Sequence, residues 1–99
     1  MKQTYEQHQT EDRRLVIVRV LADSTSYQAN EYLLESMLDS MGHSVSNDRL
    51  HSDLAWLAEQ QLLTLQRLAG VTIARLSTRG FDVARGRAQV PGVKRPRPE

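Results

Sequence analysis

A mainly helical domain with one small β-hairpin is what this sequence predicts. Three observations carry that prediction. Apolar side chains recur at helical spacing in successive stretches, residues 62 to 76 alternate instead, and capping residues and glycines punctuate the boundaries. The 99 residues suffice for one domain with one modest core. With 39% hydrophobic residues and a net charge of +1, the chain is neither compositionally disordered nor grossly basic.

The elements follow in order. Residues 1 to 9 are polar and read as a flexible lead, and residues 10 to 88 as the domain. Thr10 is the expected N-cap of the first helix, because Glu11 and Asp12 follow it in the positive first turn. The body "RRLVIVRVLAD" is rich in Val16, Ile17, Val18 and Val20, which also suit a strand. Its length from cap to Asp23 decides for a helix, with Leu15, Val18, Leu21 and Ala22 on one face. Val16, Ile17 and Val20 exceed that face and are either the best candidate surface for a homodimer or equally core.

"STSYQ", residues 24 to 28, is a connector able to pair as a short strand. Asn30 caps a second helix whose apolar face is Leu33, Leu34, Met37, Leu38 and Met41, and Gly42 ends it. His43, Ser44 and Val45 form a short turn of the kind that joins two helices at a steep angle. Ser46 caps the third helix, with Val45 and Leu50 placed for a hydrophobic staple. Leu50, Leu54 and Leu57 point inward; Asp48, Ser52, Ala55 and Glu59 lie opposite; Asn47, Arg49, His51 and Trp56 flank that outer strip.

Alternation over "LLTLQRLAGVTIARL" then gives a hairpin with its turn at Ala69 and Gly70. Ser77 caps a fourth short helix that stops at Gly86, with Leu76 and Phe81 as its staple. Gly80 inside that helix costs about 1 kcal/mol relative to alanine, which implies a close packing contact or a frayed first turn. Residues 89 to 99, "QVPGVKRPRPE" from Gln89, read as a basic, proline-rich flexible tail that buries almost nothing.

Three helices, a two-stranded wing and a C-terminal helix make the winged helix-turn-helix plan. "VSNDRLHSDLAWLAEQQLLTL" followed by "GVTIARLSTRGFDVARG" resembles the small winged-helix proteins of Mu-like phages and prophages, some labelled ArsR-like regulators. The resemblance runs from about Arg13 to Arg95 and implies the fold and a phage setting. The chain departs from ArsR-like metal sensors in having no cysteine.

In this plan the third helix enters the major groove of double-stranded DNA and its outer polar side chains meet bases and phosphates. Ser46, Asn47, Arg49, His51 and Ser52 are the candidates there: Asn pairs with adenine, Arg with guanine, and Ser46 with a phosphate. The helix itself opposes this, with one Arg against three acids, Asp48, Asp53 and Glu59. Charge is divided along the chain: residues 1 to 60 hold five Lys or Arg against ten Asp or Glu, and residues 61 to 99 hold eight against two. Phosphate contact therefore falls to Arg67, Arg79, Lys94, Arg95 and Arg97, with Arg75, Arg85 and Arg87 beside them.

Trp56 reads as packed against the hairpin or as a partner contact. His8, His43 and His51 do not make a metal set, and no phosphate loop or nucleophile pattern appears, so neither enzyme nor cofactor is expected. Without cysteine, an apolar leader or a long apolar run, the bacterial host cytoplasm is the expected location and no membrane is involved. Two functions remain: a DNA-binding regulator or DNA-handling accessory, and a winged-helix module that meets a phage protein in assembly or packaging.

Overall fold

A computed structural model describes residues 3 to 98; residues 1, 2 and 99, the outer ends of the expected lead and tail, lie outside them. The first helix, α1 (Tyr5–Ala22), is capped by Thr4, not Thr10. Thr4 Oγ1 accepts from the Gln7 amide at 3.1 Å, and Gln7 Oε1 accepts from the Thr4 amide at 2.8 Å. This capping box satisfies two donors reciprocally, where Thr10 offers one. Residues 5 to 9 of the expected lead are therefore helical.

In α1 the run Leu15, Val16, Ile17, Val18 is buried along with Leu21 and Ala22. α1 is the central rod, packed by the second helix, the fourth helix and the sheet, so nearly every direction around its middle is interior. Burial of each such side chain gains about 1.5–3 kcal/mol, against a helix-propensity deficit of a few tenths, so packing decides for helix. Of the two readings for Val16 and Ile17, dimer surface or core, the core is the one built: Ile17 is fully buried and Val16 nearly so.

A single tight turn (Thr25–Tyr27) leads to β1 (Gln28–Asn30), then α2 (Glu31–Ser40), capped by the Asn30 side chain on the Leu33 amide at 2.8 Å. α2 ends at Gly42 with φ 89°, a conformation that costs a side-chain-bearing residue. The His43 amide donates to Leu38 O at 2.8 Å and the Gly42 amide to Asp39 O at 3.1 Å, a Schellman closure. α3 (Asn47–Glu59) follows, with Ser46 Oγ accepting from the Arg49 amide at 3.1 Å. The bend that separates α2 from α3 is thus built as the sequence predicts.

β2 (Leu63–Leu68) and β3 (Val71–Leu76) form the hairpin, turning through Ala69 and Gly70, both at positive φ. β3 also pairs antiparallel with β1, Ala29 facing Ala74, so the wing belongs to a three-stranded sheet in the order β1-β3-β2 rather than standing alone. α4 (Thr78–Ala84), capped by Ser77, packs on α1 and β3. The architecture is a winged-helix-turn-helix-like fold: three helices, an antiparallel hairpin and a C-terminal helix.

The core joins Ile17, Val18 and Leu21 to Leu34 and Leu38, to Leu50, Leu54 and Leu57, and to Leu62, Leu63, Ala74 and Val83. Only part of the expected apolar face of α2 is interior. Leu34 and Leu38 are buried, whereas Leu33, Met37 and Met41 form an exposed ridge beside α1.

The segment after Ala88 also departs from expectation. Val90 and Val93 are core residues, the Lys94 amide donates to Glu11 O at 3.1 Å, and Arg14 Nη1 donates to Gly92 O at 3.1 Å. Composition flagged prolines and charges; the two valines between them found an apolar seat against α1.

The third helix as a candidate nucleic-acid interface

Four turns of α3 sort its side chains onto distinct neighbours. Leu50, Leu54 and Leu57 are interior, and Asp53 is buried beside them, paired with the buried Arg13 guanidinium. Arg14 Nε lies 3.5 Å from the other Asp53 oxygen, near enough for charge but without hydrogen-bond geometry. Asp53 is thus a structural acid that neutralises α1, and it is absent from any outer surface.

Asn47 and His51 face α2. Asn47 Nδ2 donates to Glu31 Oε1 and to Glu35 Oε1, each at 3.0 Å, and His51 Nε2 lies 3.1 Å from the same Glu31 oxygen. The second Glu31 oxygen accepts from the Thr72 amide of β3 at 2.6 Å. Glu31 is only 5% exposed. Its bonds from Thr72, then His51 and Asn47, hold the carboxyl down at about 2, because each donor favours the charged form. One carboxylate therefore clamps the start of α2 to α3 and to the wing, and two expected base readers spend their donors on it.

Arg49 faces the other way. It borders an open depression of about 780 Å³ shared with the first turns of α1, where Glu6, Glu11, Arg13 and Arg14 also lie. The early start of α1 brings those acids there. Trp56, on the same flank, carries the Arg14 guanidinium over its ring at 3.9 Å, and Gly92 of the C-terminal segment lies against its edge. These two neighbours come from α1 and from that segment.

The outer strip of α3 is Asp48, Ser52, Ala55 and Glu59, all exposed, and the exposed Asn47 and Arg49 flank it. Ser46 is exposed as well but its hydroxyl caps the helix.

The expected phosphate contacts are scattered. At the wing tip Arg67 Nη2 donates to Gly70 O at 3.0 Å, which folds its guanidinium back on the turn. Arg79 Nε donates to Gln60 O at 3.2 Å, and Lys94 Nζ lies 3.4 Å from Asp12 Oδ1, an acid that His43 Nε2 also meets at 2.7 Å. Arg95 and Arg97 come together with Arg85 around a separate depression. The structure does not gather these cations with Asn47, Arg49 and Ser52 into one surface. Sequence reasoning missed Glu31, whose contact to Thr72 spans 41 residues and leaves no local signal, and it missed the place of Arg85 beside the tail.

Among the described residues no group of His, Asp and Glu is placed to hold a metal ion, and no helix is long and apolar enough to cross a membrane.

The sequence is 55% identical over 89 residues to an uncharacterized protein, gp26, of Escherichia phage Mu, across 90% of this chain and 92% of the phage protein. The chain belongs to the family of Mu gp26. Family likeness extends to an uncharacterized protein of Haemophilus influenzae, 44% identical over 71 residues, which covers 71% of this chain and 69% of that protein. No family model and no solved structure matches the sequence.

Proposed function

We propose that this member of the gp26 family is a winged-helix interaction module of a phage, which meets a basic protein surface through the outer face of α3 and does not read base edges with that helix. One observation carries the reading: the outward strip of α3 is Asp48, Ser52, Ala55 and Glu59. Insertion into a groove would set two carboxylates against phosphates, and like-charge juxtaposition at an interface costs several kcal/mol. The same carboxylates favour a partner that presents Lys or Arg. Support comes from the flank where Asn47 and His51 are held by Glu31. Groove reading requires those donors to leave a carboxylate that they help to keep ionised.

A photo-crosslinking benzoylphenylalanine at Ser52, introduced into the full chain during phage growth, tests the reading. The expected product is a crosslink to a protein, lost in the D48K/E59K variant. A crosslink to DNA, or enrichment of one duplex sequence from a random pool by the unmodified chain, overturns it.

A further inference from the structure

We infer that the end of α4 and the C-terminal segment together form a binding site for the phosphodiester backbone of a nucleic acid, on a surface separate from α3. A depression of about 560 Å³ is lined by Arg85, Gly86, Arg95, Pro96, Arg97 and Pro98. Among the described residues its lining holds three guanidinium groups and no carboxylate.

Arg85, Arg95 and Pro96 are each held by a contact within the fold. Arg85 Nη2 donates to Asp23 Oδ1 at 2.9 Å, and its guanidinium sits 5.2 Å from the Phe81 ring centroid. A guanidinium has five N–H donors, so one bond to Asp23 fixes its direction and leaves most of them for a ligand. With the Gln89 amide turned so that its oxygen faces Arg95, that oxygen accepts from Arg95 Nε and Nη1, both at 3.2 Å. Pro96 rests on Gly86, where a Cβ would come within 3.3 Å of Pro96 Cγ. Upstream, Val90 and Val93 anchor the segment in the core. The proline-restricted chain is thus ordered before a ligand arrives, which removes part of the entropic cost of binding.

Asp23 offsets one of the three charges, which leaves an excess of two. All three cations are arginines, whose planar forks match the paired oxygens of a phosphate. Arg75 of β3, Arg79 of α4 and Arg87 just beyond it are exposed cations of the same half of the chain. A nucleic-acid backbone fits better than an acidic peptide: apart from the arginine stems, only glycine and proline line the depression, with no apolar pocket to seat a side-chain anchor. Such contacts position a backbone and read no sequence.

Fluorescence anisotropy of a labelled mixed-sequence duplex with the full chain tests the site. Three phosphate contacts predict binding that weakens about 40-fold between about 50 and 200 mM salt, whatever the duplex sequence. The R95A/R97A variant, altered only at exposed positions, should weaken binding and cut that salt dependence to about 4-fold, while R49A changes neither. Three results overturn the inference: no binding at the lower salt, binding that R95A/R97A leaves unchanged, or displacement of the duplex by polyglutamate as readily as by unlabelled duplex.

Discussion

Gly80 sits where α4 crosses the strand connection, and its backbone touches that of another element. A Cβ built there would lie 2.0 Å from Leu62 O and 2.6 Å from Leu76 Cδ1. Leu62 O cannot simply move away, because it accepts the Ser77 amide at 3.0 Å at the head of the same helix. Two effects of Gly80→Ala therefore oppose each other. Helix propensity favours alanine by about 1 kcal/mol, whereas forcing a methyl group into filled space costs about 3 kcal/mol. We expect net destabilisation of about 2 kcal/mol, read as a lower urea midpoint at unchanged slope; a raised midpoint would show that α4 can shift. Of the two readings the sequence allowed for Gly80, the close contact is the one built. Caps were equally legible where the signal is local: Asn30, Ser46 and Ser77 each cap as predicted. Thr4 was legible too, since Thr4 to Gln7 spells a capping box, but the acids after Thr10 drew the reading six residues too far along.

Between elements, the bond that matters most is one no local pattern reveals. Glu31 begins α2, yet its carboxylate fixes α3 through Asn47 and His51 and β3 through the Thr72 amide. Element order was readable because periodicity and caps act over a few residues. The clamp depends on chain segments some 41 residues apart, so only folding brings it together. Trp56 is a second case, since its cover comes from Arg14 and Gly92, far away on either side in sequence. Because Glu31 is more acidic folded than unfolded, its contribution to stability is full above the ordinary glutamate range. It declines as pH falls toward about 2, where the folded carboxyl takes up its proton. Glu31→Gln removes the charge at every pH. The variant should therefore be less stable at neutral pH, and its stability should fall less steeply with acid, by about one proton's worth of slope over that window. Urea titrations at a series of pH values give the comparison; parallel acid limbs in the two proteins would refute the clamp.

Across the whole molecule, the charge division in the sequence falls largely between elements. Asp39 of α2 and Asp48 and Glu59 of α3 are exposed, with Arg49 the exposed arginine of α3, and the other exposed arginines belong to β2, β3, α4 and the residues that follow it. The totals were legible; the placement was not, because it depends on where the last ten residues go. They dock on α1 through Val90 and Val93, and this seat brings Arg95 and Arg97 to Arg85 and Gly92 to Trp56. Replacing both valines by alanine removes about 1–2 kcal/mol of burial at each position, which is comparable to what holds a short terminal segment in place. In V90A/V93A we therefore expect the segment to detach while the helices and sheet persist. Trp56 is the only tryptophan in the chain and reports this directly. Loss of Gly92 from its edge, and of the Gly92 carbonyl that holds Arg14 over its face, should expose the ring and shift its emission to the red before global unfolding. A solvated tail would leave both the emission and the unfolding midpoint where they are, so an unchanged spectrum in the double variant would sink the docked arrangement and the arginine site it assembles.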